Sequence, residues 1–549
     1  MRCARRSEGS IPRTPLLAAL LRLAADHTDA ERLGTTPEAV RETRAAGVLS
    51  RRTFLAGAAA GAVAVAVPRW AFAKKGQPRI AIVGGGMAGM ACALALRDRG
   101  LASTVYEASG RLGGRMFSNA TYFDEGQVSE WCGELIDTGH TTIRRLARRF
   151  RLPLIDVHAG EPQGSKDIYR FFGNYYTAAQ ADADFAPVYR AVRDDLHSAG
   201  YPTTYRRSKR GGRALDAISV HDWIETRVPG GHGSPFGALL DIAYATEYGA
   251  DTTDQSALNL VYLLAYQPRK RKFAAFGESD ETFRIAGGNQ RLPLAIAKRL
   301  GVDETVRLGR SLASIRRLSS GGAYELTFDT SSGSDVVQAD LVVLALPFSV
   351  LRDLDFAQAG FDERKALAIR ELGSGRNGKL QMQFTSRIWA GTGAWPGIAN
   401  GASYADAGYQ QTWDASRSQA GTSGLINNYT GGAVSLAQGT ALPFATVSDT
   451  GVATDVATSL ARIEQVFPGV TAAWNGKATH SLPHLSPYFK GSYAYWRVGQ
   501  YRQFGGYEGV RQGGVLFAGD HCSQDFQGFM EGAASEGERA GVRAALLAR

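Results

Sequence analysis

Cysteine is scarce, with 4 in 549 residues, too few and too scattered for a disulfide scaffold. Proline is modest at 19 and charged residues make up 21%, which excludes collagen-like and disordered low-complexity chains. No apolar run reaches the ~20 residues a membrane-spanning helix needs; Phe54 to Val67 holds only about 14, so no stable membrane insertion is expected. Long basic runs are missing too. Half of the formal charge of +10 falls in residues 1–73, which hold 11 basic and 6 acidic side chains, and the rest is spread thinly, so no nucleic-acid footprint is expected. His140 and His521 have no paired nucleophile; hydrolase chemistry finds no support, and both read as structural.

What is present begins with an export signal. Ser50-Arg51-Arg52-Thr53-Phe54-Leu55 sets paired arginines before the apolar stretch, and Ala71-Phe72-Ala73 follows as an A-x-A cleavage site. These parts, in this order, read as a twin-arginine signal over residues 1–73 with a long leader at 1–49. The expected partner is the twin-arginine translocase, and the expected location periplasmic or secreted in a bacterium. Because that route carries folded proteins, a cofactor would be loaded before export. Cleavage after Ala73 leaves Cys92, Cys132 and Cys522, an odd set without metal-ligand spacing and without a candidate nucleophile; no metal is expected.

The chemistry starts at Arg79-Ile80-Ala81-Ile82-Val83, a short β-branched run, followed by Gly84-Gly85-Gly86-Met87-Ala88-Gly89 and an Ala/Leu-rich helix to about Gly100. This is the strand, glycine turn and helix of a dinucleotide fold: Gly84 permits the turn, Gly86 lets the backbone approach a pyrophosphate, and Gly89 lets helix pack on strand. The pyrophosphate would sit on the helix N-terminus. A second strand, Thr104-Val105-Tyr106, ends in Glu107, placed to accept the ribose hydroxyls of an adenosine.

Beyond Glu107 comes Arg111-Leu112-Gly113-Gly114-Arg115, and from here the sequence resembles the flavin-containing amine oxidase family, which includes monoamine, polyamine and L-amino-acid oxidases. The resemblance runs over residues 78–549. It implies noncovalent FAD, with Arg111, Gly113, Gly114 and Arg115 along its pyrophosphate. Val515 to Asp520 resembles the second FAD fingerprint: Gly519 and Asp520, the latter standing where the family more often has Glu, reach the ribityl-phosphate region. The helix beginning near Phe529 and Met530 would face the isoalloxazine carbonyl, where a helix N-terminus stabilises negative charge. Val306 to Ile315 resembles the strand whose apolar residue touches the adenine, which would be Leu312. Glu134 would face the ribityl chain or the substrate, or serve as a salt-bridged structural residue.

The resemblance also implies the reacting groups. Lys379 matches the lysine that holds a water near the flavin nitrogen; its alternative is a solvated strand lysine. Tyr493 and Phe529 match the two walls of an aromatic cage, which would favour a neutral amine by desolvation, whereas Tyr495 and Trp496 read as core. Ser492 stands where some members carry the flavin-bonding cysteine. Met116-Phe117-Ser118 lacks the carboxylate-clamping arginine of L-amino-acid oxidases, although Arg284 or Arg497 could substitute.

The expected architecture is α/β: a Rossmann-like FAD-binding domain from residues 78–160, 275–350 and 478–549, interleaved with an α+β substrate-binding domain from a helical 160–275 and a mixed 350–478. The expected reaction is oxidation of an amine to an imine, with dioxygen reduced to hydrogen peroxide. The alternatives are an L-amino-acid oxidase and an amine dehydrogenase with a non-oxygen electron acceptor.

Overall fold

The computed structural model describes residues 78–266, 273–275, 277, 279–319 and 322–549; the expected export signal at 1–73 lies outside them. The strand Ile80–Val83 is buried at every position, as a strand covered on both faces requires. Leu341–Leu344 and Thr104–Tyr106 flank it in parallel, and the full order is Val515–Phe517, Leu341–Leu344, Ile80–Val83, Thr104–Tyr106, Val306–Arg307. All five strands come from the three segments read as dinucleotide-binding.

Helix Met87–Arg97 is buried along all but its last residue. Helix Met530–Leu547 packs against it through Gly537 and Gly541, where a Cβ would stand 2.2 Å from the Ala88 carbonyl oxygen and 2.6 Å from that of Cys92. The two ends of the chain are thus joined by a glycine-bearing helix crossing.

A nine-stranded mixed sheet forms the other half, with Asn377–Phe384 near its centre between Gly424–Gly431 and Trp474–Ser481. Segment 160–275 is not wholly helical: it opens with Lys166–Phe171 and Asn174–Tyr176, which complete one edge of this sheet. The sheet also runs past residue 478, to Ser481. The stretch 306–315 proves to be two strands in different sheets. Val306–Arg307 closes the parallel sheet, and Ser311–Arg317 starts an antiparallel one with Tyr324–Thr330 and Gly333–Ala339.

Strand Asn377–Phe384 shows how the halves meet. Its eight residues are all buried, yet polar Asn377, Lys379, Gln381 and Gln383 alternate with Leu380, Met382 and Phe384. Alternation sends successive side chains to opposite faces. The apolar set joins the core with Trp389 and Phe467. The polar set bonds to backbone elsewhere: Gln383 to the Asp124 carbonyl, Gln381 to that of Glu130, Lys379 to that of Cys132, and Asn377 to that of Thr246. Buried polar groups must be paired, and here three of the four bonds fix this sheet against segment 124–134.

Candidate active site

One cavity of about 300 Å³ runs between the two halves. Its dinucleotide end is made by Gly84, Gly86, Gly113 and Gly114 with Glu107, Gly519 and Asp520. Gly84 has φ +108°, and a Cβ there would lie 2.6 Å from the Ala345 carbonyl oxygen. Gly86 is different: its Cβ would meet only the Gly114 Cα, at 3.8 Å, so its open side faces space a ligand can use. Gly89 is away from the cavity and serves the packing, since a Cβ would fall 1.9 Å from the Gly84 oxygen. Glu107 accepts the Gly85 amide at 2.6 Å and the Ser109 amide and hydroxyl at 2.9 and 2.7 Å.

Two expected cofactor residues are placed elsewhere. Arg111 does not line the cavity. Its guanidinium lies 3.7 Å from the Phe117 ring centroid and donates to the Gly114 carbonyl at 2.9 Å, bracing the Gly113-Gly114 turn from behind. Leu312 is buried opposite Phe328 in the antiparallel sheet, and Ser311 lines the cavity in its place. A one-residue offset on a strand reverses the face. Arg115 does line the cavity, donating to Asp520 Oδ1 at 2.5 Å and to the Ser492 carbonyl at 2.6 Å. Burial opposes ionisation of Asp520, but Arg115 holds it below the usual carboxylate range. Met530 lines the cavity beside Gly133, where a Cβ would meet its sulfur at 2.9 Å.

At the other end the structure brings together Lys379, Glu134, Tyr493 and Phe529. Lys379 Nζ donates to the Cys132 carbonyl at 2.7 Å and to Glu134 Oε2 at 2.9 Å. Trp413 Nε1 donates to Glu134 Oε1 at 3.1 Å and Asn427 Nδ2 to Oε2 at 3.2 Å. Burial pushes the Glu134 pKa up, but Lys379 and Trp413 more than offset it and hold it below the ordinary value. Lys379 is therefore neither solvated nor free: it is half of a buried ion pair, and Glu134 is the other half.

Tyr493 shares a 2.9 Å hydrogen bond with the Tyr429 hydroxyl and lies 3.2 Å from the Thr246 carbonyl. Phe529 caps the start of helix Met530–Leu547 and packs edge-on to His140 at 5.2 Å. Ser492 Oγ donates to Asn377 Oδ1 at 2.6 Å. Cys132 also lines the cavity, and burial pushes its thiol up to about 11, far from the reactive thiolate range.

Neither substitute clamp reaches the cavity. Arg284 donates to the carbonyls of Ala415 and Arg417, both at 2.7 Å, and Arg497 pairs with Asp254. Trp413, Tyr429, Glu247 and Glu281 also line the cavity, and no sequence motif marks them. Tyr429 sits directly opposite Lys379 across the ladder, a pairing of residues 50 apart that no local motif encodes.

The chain is similar to several known proteins. A nicotine dehydrogenase of Pseudomonas putida is 24% identical over 474 residues, covering 84% of this chain and 87% of its own. An L-amino-acid oxidase of Mus musculus is 22% identical, covering 85% and 70%. Among solved structures, cyclohexylamine oxidase from Brevibacterium oxydans superposes with a TM-score of 0.71 at 21% identity, covering 86% of this chain and 99% of that one. Putrescine oxidase bound to putrescine gives 0.70 at 19% identity with the same coverage. At these identities the structural likeness is one of fold. Residues 87–545 match the model of the flavin containing amine oxidoreductases, and the chain belongs to that family.

Proposed function

We propose that the protein is an FAD-dependent oxidase of amines that lack an α-carboxylate, yielding an imine that water hydrolyses to an aldehyde or ketone, with dioxygen reduced to hydrogen peroxide. One observation carries the choice of amine over amino acid. Among the described residues, the arginine and lysine side chains lining the cavity are Arg115 and Lys379, and each is committed to an acid, Asp520 and Glu134; His521 also lines it, and burial lowers its imidazole to about 4. A substrate carboxylate would find no free guanidinium, and a bidentate clamp is hard to replace. The cavity instead presents the carboxyls of Glu247 and Glu281 beside aromatic rings, which attract a cation.

The residues fit FAD. The open face of Gly86 and the Gly113-Gly114 turn suit a pyrophosphate, Glu107 and Ser311 border the adenosine end, and Asp520 with the start of helix Met530–Leu547 border the ribityl and flavin end. Ser492, which offers no sulfur at the position where some members carry the flavin-bonding cysteine, supports noncovalent binding, as does the buried Cys132 thiol held up at about 11. FAD, when bound, supplies the acceptor for the hydride from the carbon next to nitrogen. The chain's own part is orientation and exclusion of water: Tyr493, held by Tyr429 and Thr246, and Phe529, held by His140, make the walls. Lys379 keeps Glu134 charged beside them.

Anaerobic mixing of the flavin-loaded protein with a panel of primary amines and amino acids, followed by air, tests this reading. Bleaching by amines with fast recovery in air is expected. Bleaching by amino acids alone would overturn it. Bleaching by amines with slow recovery in air would favour a dehydrogenase, as the nicotine dehydrogenase relative is named. Export is proposed from the Arg51-Arg52 pair, and Arg51→Lys with Arg52→Lys should retain the protein in the cytoplasmic fraction.

A further inference from the structure

Near each aromatic wall the cavity is lined by a carboxyl outside the Lys379–Glu134 and Arg115–Asp520 pairs. Glu247 follows Thr246, whose carbonyl lies 3.2 Å from the Tyr493 hydroxyl. The Glu281 amide donates to Asp137 Oδ1 at 3.0 Å, the Asp137 amide donates to His140 Nδ1 at 2.9 Å, and His140 packs on Phe529. Both glutamates line the cavity, and no described side chain forms a hydrogen bond or ion pair with either carboxyl.

The proposed reaction needs such a group. An alkylamine is an ammonium ion at neutral pH, as the ordinary lysine value of ~10.4 shows, yet hydride can leave only when the nitrogen lone pair is free. A water-poor aromatic cavity disfavours the cation, so the proton needs an acceptor inside. Lys379 is itself a cation bonded to Glu134, and Asp520 is held by Arg115. We propose that Glu281, which lines the cavity together with Glu247, is the proton acceptor that turns the incoming ammonium ion into the neutral amine. In this step an N–H bond of the ammonium breaks, its electron pair stays on nitrogen, and an O–H bond forms on the Glu281 carboxylate; the proton later returns to solvent.

The surroundings suit the role. Burial, then Asp137, pushes Glu281 up to about 7, against the opposing pull of Arg417 and His158 and with a further push from Glu134. Burial, then Glu281 and Asp137, raises Glu247 well above its ordinary value. A proton acceptor works best when its pKa lies near the operating pH.

The inference rests on amine oxidation, and the test separates the two. Flavin reduction at pH 9 by the most active primary amine of the panel, still an ammonium ion there, and by its 2,2-difluoro analogue, whose nitrogen is neutral there, is followed by rapid anaerobic mixing of the flavin-loaded full chain. Glu281→Gln is expected to lower kred/Kd by about 100-fold for the basic amine, in the range usual for proton-transfer groups, and only a few-fold for the fluorinated one. Glu247→Gln keeps the Glu281 carboxyl, so the acid limb of the wild-type pH profile should persist in it and be lost in Glu281→Gln. Equal losses for both amines, or an acid limb that survives in Glu281→Gln, would overturn the proposal. Failure of every amine to reduce the wild-type flavin would instead sink the amine oxidase reading.

Discussion

Lys379 Nζ lies 2.9 Å from Glu134 Oε2, with both side chains less than a tenth exposed. Removing one partner of such a pair strands a buried charge, which typically costs about 3–5 kcal/mol, whereas replacing both is far milder. Lys379→Met should therefore lower stability by about that much in urea unfolding. The double variant Lys379→Met, Glu134→Gln should recover most of the loss. A Lys379→Met protein as stable as wild type would show the pair to be energetically idle.

Tyr493 is fixed at its hydroxyl, and the proposed cage uses its ring. Tyr493→Phe keeps the wall but gives up the bonds to Tyr429 and Thr246, each worth roughly 1 kcal/mol. The expected result is a modest drop in flavin reduction rate, with Tyr493→Ala slower by a much larger factor. Equal effects from the two variants would place the function in the hydroxyl instead.

Two glycines three residues apart make opposite demands. A Cβ on Gly89 would lie 1.9 Å from backbone oxygen, whereas one on Gly86 meets nothing nearer than 3.8 Å. Gly89→Ala should destabilise the fold by about 1–3 kcal/mol, the usual range for overpacking. Gly86→Ala should leave the apoprotein's melting temperature nearly unchanged while weakening flavin retention. Fluorescence titration of apoprotein with FAD, beside thermal melts, separates the two effects.

That contrast also marks what the sequence could reveal. The glycine turn, Glu107 and the Gly519-Asp520 segment are legible because their constraints are local: a strand, a turn and a helix start within a few residues of one another. Lys379 could be picked out but its partner could not, because the Glu134 bond depends on a sheet face meeting a loop 245 residues away. The resemblance points to Leu312 as the residue touching the adenine, yet Ser311 lines the cavity, since strand periodicity sets which residues share a face but not which face meets the ligand. Glu247 and Glu281 belong to no motif, and only the folded chain brings them to one cavity.

The segment that carries Glu281 is itself tied by a charged cluster. His158 Nε2 donates to the Asp280 carbonyl at 2.8 Å, His158 Nδ1 meets Glu161 at 2.9 Å, and Glu161 meets Arg417 at 2.5 Å. Burial opposes ionisation of Glu161, but His158 and Arg417 prevail and bring it down to about 2. The Glu161 bond raises His158 to about 9 against the opposing effect of burial. The signs follow from linkage. Glu161, with a folded pKa below its ordinary 4.5, contributes stability above 4.5 that is lost as pH falls toward 2. His158, raised from 6.5, contributes fully below 6.5 and loses its contribution as pH rises through 9. Melting temperature should therefore decline on both sides of a plateau between about 4.5 and 6.5, and Glu161→Gln should flatten both limbs. Because Asp280 precedes Glu281, the same variant should also perturb the acid limb of flavin reduction; unchanged melts and an unchanged limb would show the cluster to be uncoupled from the site.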